Sequence, residues 1–173
     1  SNTNSLRIKT QSELNINSQM NIAGSQSYES GTAIKLGADV TSTQAGDITF
    51  TGPVVLAGNV SVEAVDSAIT FGGTVDGASR RLDLDAGANG RVDFTDTVSN
   101  LGSVTDNNRA LTINAGATTF AKSLSANNGI ATKGAVRSQD DVTLADGRQS
   151  SEFSGPVTFD NATRAITLSG HDG

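Results

Sequence analysis

One short pattern constrains this chain more than any other: an apolar residue, a polar residue, an apolar residue. It occurs as Leu6-Arg7-Ile8, Leu14-Asn15-Ile16, Met20-Asn21-Ile22, Ile34-Lys35-Leu36, Ile48-Thr49-Phe50, Val60-Ser61-Val62 and Ile69-Thr70-Phe71. It continues as Leu82-Asp83-Leu84, Val92-Asp93-Phe94, Leu111-Thr112-Ile113, Val142-Thr143-Leu144, Val157-Thr158-Phe159 and Ile166-Thr167-Leu168. Such alternation puts both apolar side chains on one face of a strand and the polar one on the other. Thirteen triplets, most flanked by Gly, Asn, Asp or Ser, predict thirteen or more short, half-buried strands. Thr is often the middle residue, and its β-branch suits a solvated strand face. Helical spacing is weak throughout. Its best pair, Phe120 with Leu124, runs straight into Asn127-Asn128-Gly129.

Composition agrees. Over 173 residues, 20 Ser, 20 Thr, 19 Gly and 14 Asn accompany 13 Val, 11 Leu, 9 Ile and 6 Phe. That apolar content sits just above the level at which a chain cannot bury a core, and the length fits a single domain spanning 1–173. With no cysteine, a disulfide framework and thiolate chemistry are excluded. The single histidine, His171, leaves almost no room for a histidine metal site or a catalytic triad. Fourteen of the 18 acids are Asp, which tolerates turns, and the net charge is −6. Residues 1–45 are balanced; the whole acidic excess lies in 46–173. An acidic surface poor in aromatics argues against nucleic acid and against an anionic membrane. No apolar run reaches the roughly 18–20 residues of a membrane-spanning helix. A start at Ser1-Asn2-Thr3, without Met, is expected of a piece of a longer protein.

The triplets belong to a repeat. Alignment on phenylalanine gives Phe50-x3-Val54, Phe71-x3-Val75, Phe94-x3-Val98, Phe120-x3-Leu124 and Phe153-x3-Val157, each interval wider than the one before. Phe50-Thr51-Gly52-Pro53-Val54 and Phe153-Ser154-Gly155-Pro156-Val157 nearly coincide. The triplets starting at Leu82, Leu111 and Ile166 each follow an arginine (Arg80, Arg109, Arg164) and precede small residues and glycine. In the cleanest repeat, Gly52 and Gly58 divide residues 46–66 into three extended pieces, 47–51, 53–57 and 59–64. Three strands with glycine corners make one turn of a triangular coil. Stacking such coils in parallel gives a parallel β-helix of roughly seven or eight turns, about 35–40 Å long. A β-sandwich is the alternative architecture. In the coil, Phe50, Phe71 and Phe94 stack inside while Thr49, Thr70 and Asp93 form an outward ladder. Residues 1–45 are expected to form short-strand coils or a cap.

Three stretches carry a family resemblance: Gly46-Asp47-Ile48-Thr49-Phe50-Thr51-Gly52-Pro53-Val54 continuing through Asn59-Val60-Ser61-Val62, then Ile69-Thr70-Phe71-Gly72-Gly73-Thr74-Val75-Asp76-Gly77, then Leu82-Asp83-Leu84-Asp85-Ala86-Gly87. Together they resemble repeats of large bacterial exoproteins of the filamentous-haemagglutinin type. The match covers 46–117 well and 150–170 moderately; 1–45 resembles the shorter Leu-x-Ile strand repeats of the same proteins. The resemblance implies a right-handed parallel β-helix in a secreted surface adhesin. The repeat blurs between Phe120 and Val142, and polar Thr118 and Ser151 fall where Ile48, Ile69 and Val92 face inward.

Motifs for chemistry are sparse. Asp83 and Asp85 point outward about 7 Å apart along one strand. Paired carboxylates on such a face suit polysaccharide hydrolases or lyases, but solvated strand positions that keep the rod soluble are the preferred reading, since Ser61, Thr112, Thr143 and Thr167 fill the equivalent places and no acid cluster builds up across coils. No EF-hand loop and no Asp/Gly-rich nonapeptide marks a calcium site, and no phosphate-binding or nucleophile-elbow motif occurs. The sequons Asn59-Val60-Ser61 and Asn161-Ala162-Thr163 are of chance frequency in such a chain. Asn89-Gly90-Arg91 and Asp146-Gly147-Arg148 resemble short integrin-binding tripeptides but are ordinary turn sequences.

No catalytic, cofactor-binding or metal residue is therefore assigned, and no cofactor. The expected role is a non-enzymatic structural or adhesive rod, extracellular or on a bacterial surface, with loops 99–109 and 125–141 as contact surfaces. Its partners would be neighbouring repeats of a parent chain, identical subunits end to end, or host and matrix glycans or proteins. Two alternatives stand beside it: a self-assembling extracellular filament subunit, with residues 1–30 pairing or capping an end, and a polysaccharide-processing enzyme using Asp83, Asp85 and Asp93.

Overall fold

The computed structural model describes residues 4–161 and 163–170, so His171, Ala162 of the second sequon and the Ser1–Thr3 start lie outside the described residues. Every triplet forms a strand. The first coil is β1 (Leu6–Thr10), β2 (Leu14–Ile16) and β3 (Met20–Ile22); the second is β4 (Gln26–Ser30), β5 (Ile34–Leu36) and β6 (Val40–Ser42). The third is β7 (Ile48–Thr51), β8 (Val54–Leu56) and β9 (Val60–Ala64). The fourth opens with β10 (Ala68–Phe71) and β11 (Val75–Asp76), then enters β12 (Leu82–Phe94), which turns a corner and so closes one coil and opens the next. β13 (Val98–Leu101) and β14 (Leu111–Phe120) repeat that arrangement, followed by β15 (Leu124–Ala126), β16 (Ile130–Ser138), β17 (Val142–Asp146), β18 (Glu152–Phe153), β19 (Val157–Phe159) and β20 (Ile166–Gly170).

Every strand pairs in parallel with its counterpart one coil away, which makes a β-solenoid of about eight turns and excludes the β-sandwich. Its first side stacks β1, β4, β7, β10, the ends of β12, β14 and β16, and β19. The second side stacks β2, β5, β8, β11, β13, β15, β17 and β20. The third stacks β3, β6, β9, the starts of β12, β14 and β16, and β18. Along the first side Leu6 pairs with Gln26, Gln26 with Ile48, Ile48 with Ile69, Ile69 with Val92, Val92 with Thr118, Thr118 with Val136 and Val136 with Val157. The coil is thus longest between Val92 and Thr118 and shortest between Thr118 and Val136, directly above it.

An aromatic ladder fills the interior behind the first side. Tyr28, Phe50, Phe71, Phe94 and Phe120 stack with centroids 5.0–5.4 Å apart and planes within 15°. Thr49, Thr70 and Asp93 form the outward row beside them, as the repeat predicts. Tyr28 joins the ladder although its strand, Gln26-Ser27-Tyr28-Glu29-Ser30, is not an apolar triplet. Its hydroxyl donates to Gln26 Oε1 at 2.6 Å, and Gln26 Nε2 donates to the carbonyl of Thr41 at 2.8 Å. That relay lets a polar tip enter the core, and burial pushes the Tyr28 phenol up to about 12. Corners are tight: a Cβ on Gly73 would come within 2.5 Å of the Gly52 carbonyl beneath it, so only glycine fits.

The abundance of Asp and Asn has a second cause beyond turn tolerance. Corner side chains of one coil accept backbone N–H groups of the next: Asp39 from Ser61, Asp47 from Ala68, Asn59 from Arg81 and Asp141 from Ala165, at 2.8–3.2 Å. These bonds satisfy donors left free where strands break at corners.

The last repeat differs from its sequence alignment. Phe153 does not stack under Phe120; it pairs with Thr132 on the third side, and the Phe120 column continues through Ser138 to Phe159. Val157 lies on the first side, whereas Val54, with which it aligns, lies on the second. Ile166 lies on the second side, whereas Leu82 and Leu111 lie on the third. The final string is rotated by one side of the triangle. All three sides impose the same in–out alternation, so a triplet-turn-triplet string fits any adjacent pair. Thr118 does replace Val92 inward and is buried, whereas Ser151 precedes β18 on the third side, and its hydroxyl accepts from the Ile130 N–H. The stretch 125–141 is no loop: it holds the end of β15 and all of β16.

Candidate functional site

The longest coil carries its extra residues at 102–110, between the second and third sides, where the other coils turn more sharply. This segment is folded. Asn128 is fully buried beneath it; its Nδ2 donates to the carbonyls of Asp106 and Asn108 at 2.9 and 2.6 Å, while its Oδ1 accepts from the Gln149 N–H at 3.1 Å. Asp106 accepts the backbone and amide N–H groups of Asn108, and these bonds, the backbone one foremost, hold its carboxyl below the usual range. Gly147 passes so close to Asn128 Oδ1 and Val104 that a side chain there would collide, which packs the centre of the 146–148 turn against the insertion.

Beside this insertion lies a polar groove of about 400 Å³ lined by Arg81, Asp83, Asn107, Asn108, Arg109, Thr112 and Gln149. Residues from three different coils contribute. Arg81 Nε is 2.7 Å from Asp83 Oδ2. Arg109 Nε donates to the Ser150 carbonyl at 3.0 Å and its Nη2 reaches Glu152 at 3.0 Å, which fixes the guanidinium at the groove edge. Arg148 donates to Asn107 Oδ1 at 3.0 Å. Past Arg109 a second hollow of about 200 Å³ runs along Thr112, Asn114, Ala131, Lys133 and Glu152. The lining is rich in forked amide and guanidinium groups, which read planar or polyhydroxylated partners in pairs of hydrogen bonds.

Asp83, Asp85 and Asp93 do not form one centre. Asp83 and Asp85 stand on the third side, beside Ser61 and Thr112 and beside Glu63 and Asn114 respectively. Asp93 stands on the first side between Thr70 and Thr119, 2.8 Å from Arg91. Thr143 and Thr167 belong to the second side and are not equivalent to Asp83. Asp85 instead accepts from Asn114 Nδ2 and the Gly87 N–H, both at 2.9 Å. Among the described residues no group of three or more His, Asp or Glu side chains is placed to hold a metal ion. The Asn89-Gly90-Arg91 turn lies inside β12, with Gly90 pressed on the carbonyls of Ala86 and Ser67 and Arg91 paired to Asp93.

Sequence reasoning names Asp83, Thr112 and Arg109 without bringing them together; it includes Asn107 and Asn108 in the stretch 99–109 and Asn128 in 125–141 without singling them out, and it misses Arg81 and Gln149. The available signal is the widened interval between Phe94 and Phe120. No protein-family model matches the chain, nor does any curated protein or solved structure.

Proposed function

We propose that the chain is a structural and adhesive rod segment of a large secreted bacterial surface protein of the filamentous-haemagglutinin type, and that the groove at 102–110 is its lateral contact surface. The observation that carries this reading is the pinned insertion. A rod needs only regular coils, yet here one corner is enlarged and held over a polar groove by a buried asparagine. The stacked core supplies stiffness, because each coil is locked to two neighbours by three parallel strands and continuous apolar columns. The groove supplies contact. Its mixed Arg, Asn, Gln, Asp and Thr lining suits hydroxyl-rich glycan chains lying across the coils.

The test is binding of the chain to an array of host and matrix glycans, repeated with Arg109→Ala and Asn128→Ala. Retained glycans should lose about tenfold or more in affinity in both variants, the second because the insertion loosens although Asn128 touches no ligand. Binding unchanged in both variants would remove the groove from the reading. Release of reducing or unsaturated sugars from polysaccharide, abolished by Asp83→Asn, would replace it with the enzymatic one.

A further inference from the structure

The groove and the hollow beside it share Arg109 and Thr112, and together they form one trench on the third side of the solenoid. Its floor follows a single outward column. Asp83 pairs with Thr112, Thr112 with Ala131 and Ala131 with Glu152, one residue from each of four successive coils. Ala131 makes the hollow, because a methyl group stands where its neighbours carry longer polar side chains. On the corner side, Arg109 reaches past the coil of Ala131 to the Ser150 carbonyl and Glu152, so its side chain walls the trench. On the far side the next outward column holds Asp85, Asn114 and Lys133. Asp85 is bonded to Asn114, whereas Lys133 is exposed, lines the hollow and has no hydrogen-bond or ion-pair partner among the described residues.

We propose that the trench holds an extended β-1,4-linked glycan running parallel to the solenoid axis, one sugar residue to each coil. Its four positions are set by Asp83, Thr112, Ala131 and Glu152. The argument is one of repeat length. A column with one residue per coil repeats about every 4.8 Å, and a flat ribbon of equatorially linked sugars advances by nearly that distance per ring. An extended peptide advances about 3.3 Å per residue and falls out of step within two coils. An α-1,4-linked chain curls away from a straight column. The positions also suit the rings. Asp83 and Glu152, each held by an arginine, accept hydroxyls at the two ends. Thr112 and Asn114 donate and accept in the middle, and Ala131 underlies the apolar face of the third ring, with the Lys133 ammonium donating to its oxygens. This inference rests on the groove being a glycan contact, and adds which chains fit and how they lie.

The test is calorimetric titration of the full chain with β-1,4-linked oligomers of glucose and of N-acetylglucosamine, two to six residues long, against α-1,4-linked glucose oligomers. Affinity for a β-linked series should rise by about threefold to tenfold with each residue from two to four, then level off. Ala131→Gln fills the hollow from its half-buried, outward position and should stop the rise at two residues. Lys133→Ala should shrink the step from two to three. Circular dichroism checks that both variants keep the β spectrum. Affinity independent of length, a rise continuing beyond four, equal binding of the α-linked series, or unaltered length dependence in either variant overturns the proposal. So does binding of glycans on the array, lost in Arg109→Ala, without binding of either β-linked series; the groove then remains a glycan contact of another kind. Binding of no glycan in any format removes the contact and this inference together.

Discussion

Between Tyr28 and Phe120 every coil places an aromatic ring in the same column, with Ile, Leu or Val at almost every other inward position. In the coil after Phe120 the ring is replaced by Ser138, whose hydroxyl turns back to the Asp140 carbonyl at 2.7 Å. The columns beside it carry Thr118 and Thr132, both buried, with hydroxyls that have no hydrogen-bond partner. The backbone is nevertheless the same parallel stack. The ladder of main-chain hydrogen bonds therefore sets the coil, while the interior decides how much stability each coil contributes. A coil enclosed by well-filled neighbours tolerates small and polar inward residues that it could not carry alone. The step from Thr118 to Val136 is also the shortest on the first side, as expected if smaller side chains need less circumference.

The largest expected effect lies in the well-filled region. Phe71→Ala removes the middle ring of the ladder and should cost about 3–5 kcal/mol in chemical denaturation, whereas Phe159→Ala, half-buried at the end, should cost about 1–2 kcal/mol. Equal losses at the two positions would mean that the filled and unfilled regions do not differ. Alkali provides the next test. Tyr28 ionises at about 12 in the folded chain, against about 10 when unfolded. A raised value means its stabilisation is complete below pH 10 and disappears as pH climbs to 12, at about 1.4 kcal/mol per pH unit. Since the chain has one Tyr and no Trp, phenolate absorbance reads this site directly. Titration at the ordinary value in the folded protein would mean that Tyr28 is not in the ladder.

In the poorly filled region substitutions should help. Thr118→Val and Thr132→Val keep volume and remove an unpaired buried hydroxyl, so each should raise stability by about 1 kcal/mol. Destabilisation by both would show that the hydroxyls have partners and that the two regions are equivalent. The smallest change is Thr70→Ala on the outer row, about 0.5 kcal/mol, which sets the scale against Phe71 next to it.

Much of the fold is legible in the sequence because alternation is a local signal. All thirteen triplets form strands, and the columns of Phe50, Phe71 and Phe94 follow from the near-regular interval between those rings. Tyr28 is hidden because Gln26 and Ser30 flank it with polar residues, whose burial depends on partners such as the Thr41 carbonyl in another strand. β16 is hidden for the same reason, since its inward residues include Thr132 and Ser138. The last repeat is misassigned because its Phe-x3-Val string records a turn between two sides but not which two. The groove is the least legible part. Arg81, the adjacent pair Asn108-Arg109 and Gln149 are far apart in sequence, and they meet only because the insertion folds back over Asn128.

The stacking of coils can be measured as a ruler. The chain has no cysteine, so spin labels can be placed in pairs along the outward row that includes Ser27, Thr49, Thr70, Asp93, Thr119, Arg137 and Thr158. With Ser27 as the fixed partner and Thr70, Asp93, Thr119 and Thr158 as the second site, pulsed electron–electron resonance should give backbone separations growing by about 4.8 Å per coil. The longest, six coils away at Thr158, should be about 29 Å. A linear series is the result expected of one continuous solenoid. Distances that level off or fall back after Thr119 would contradict it, because the last coils would then not continue the same stack.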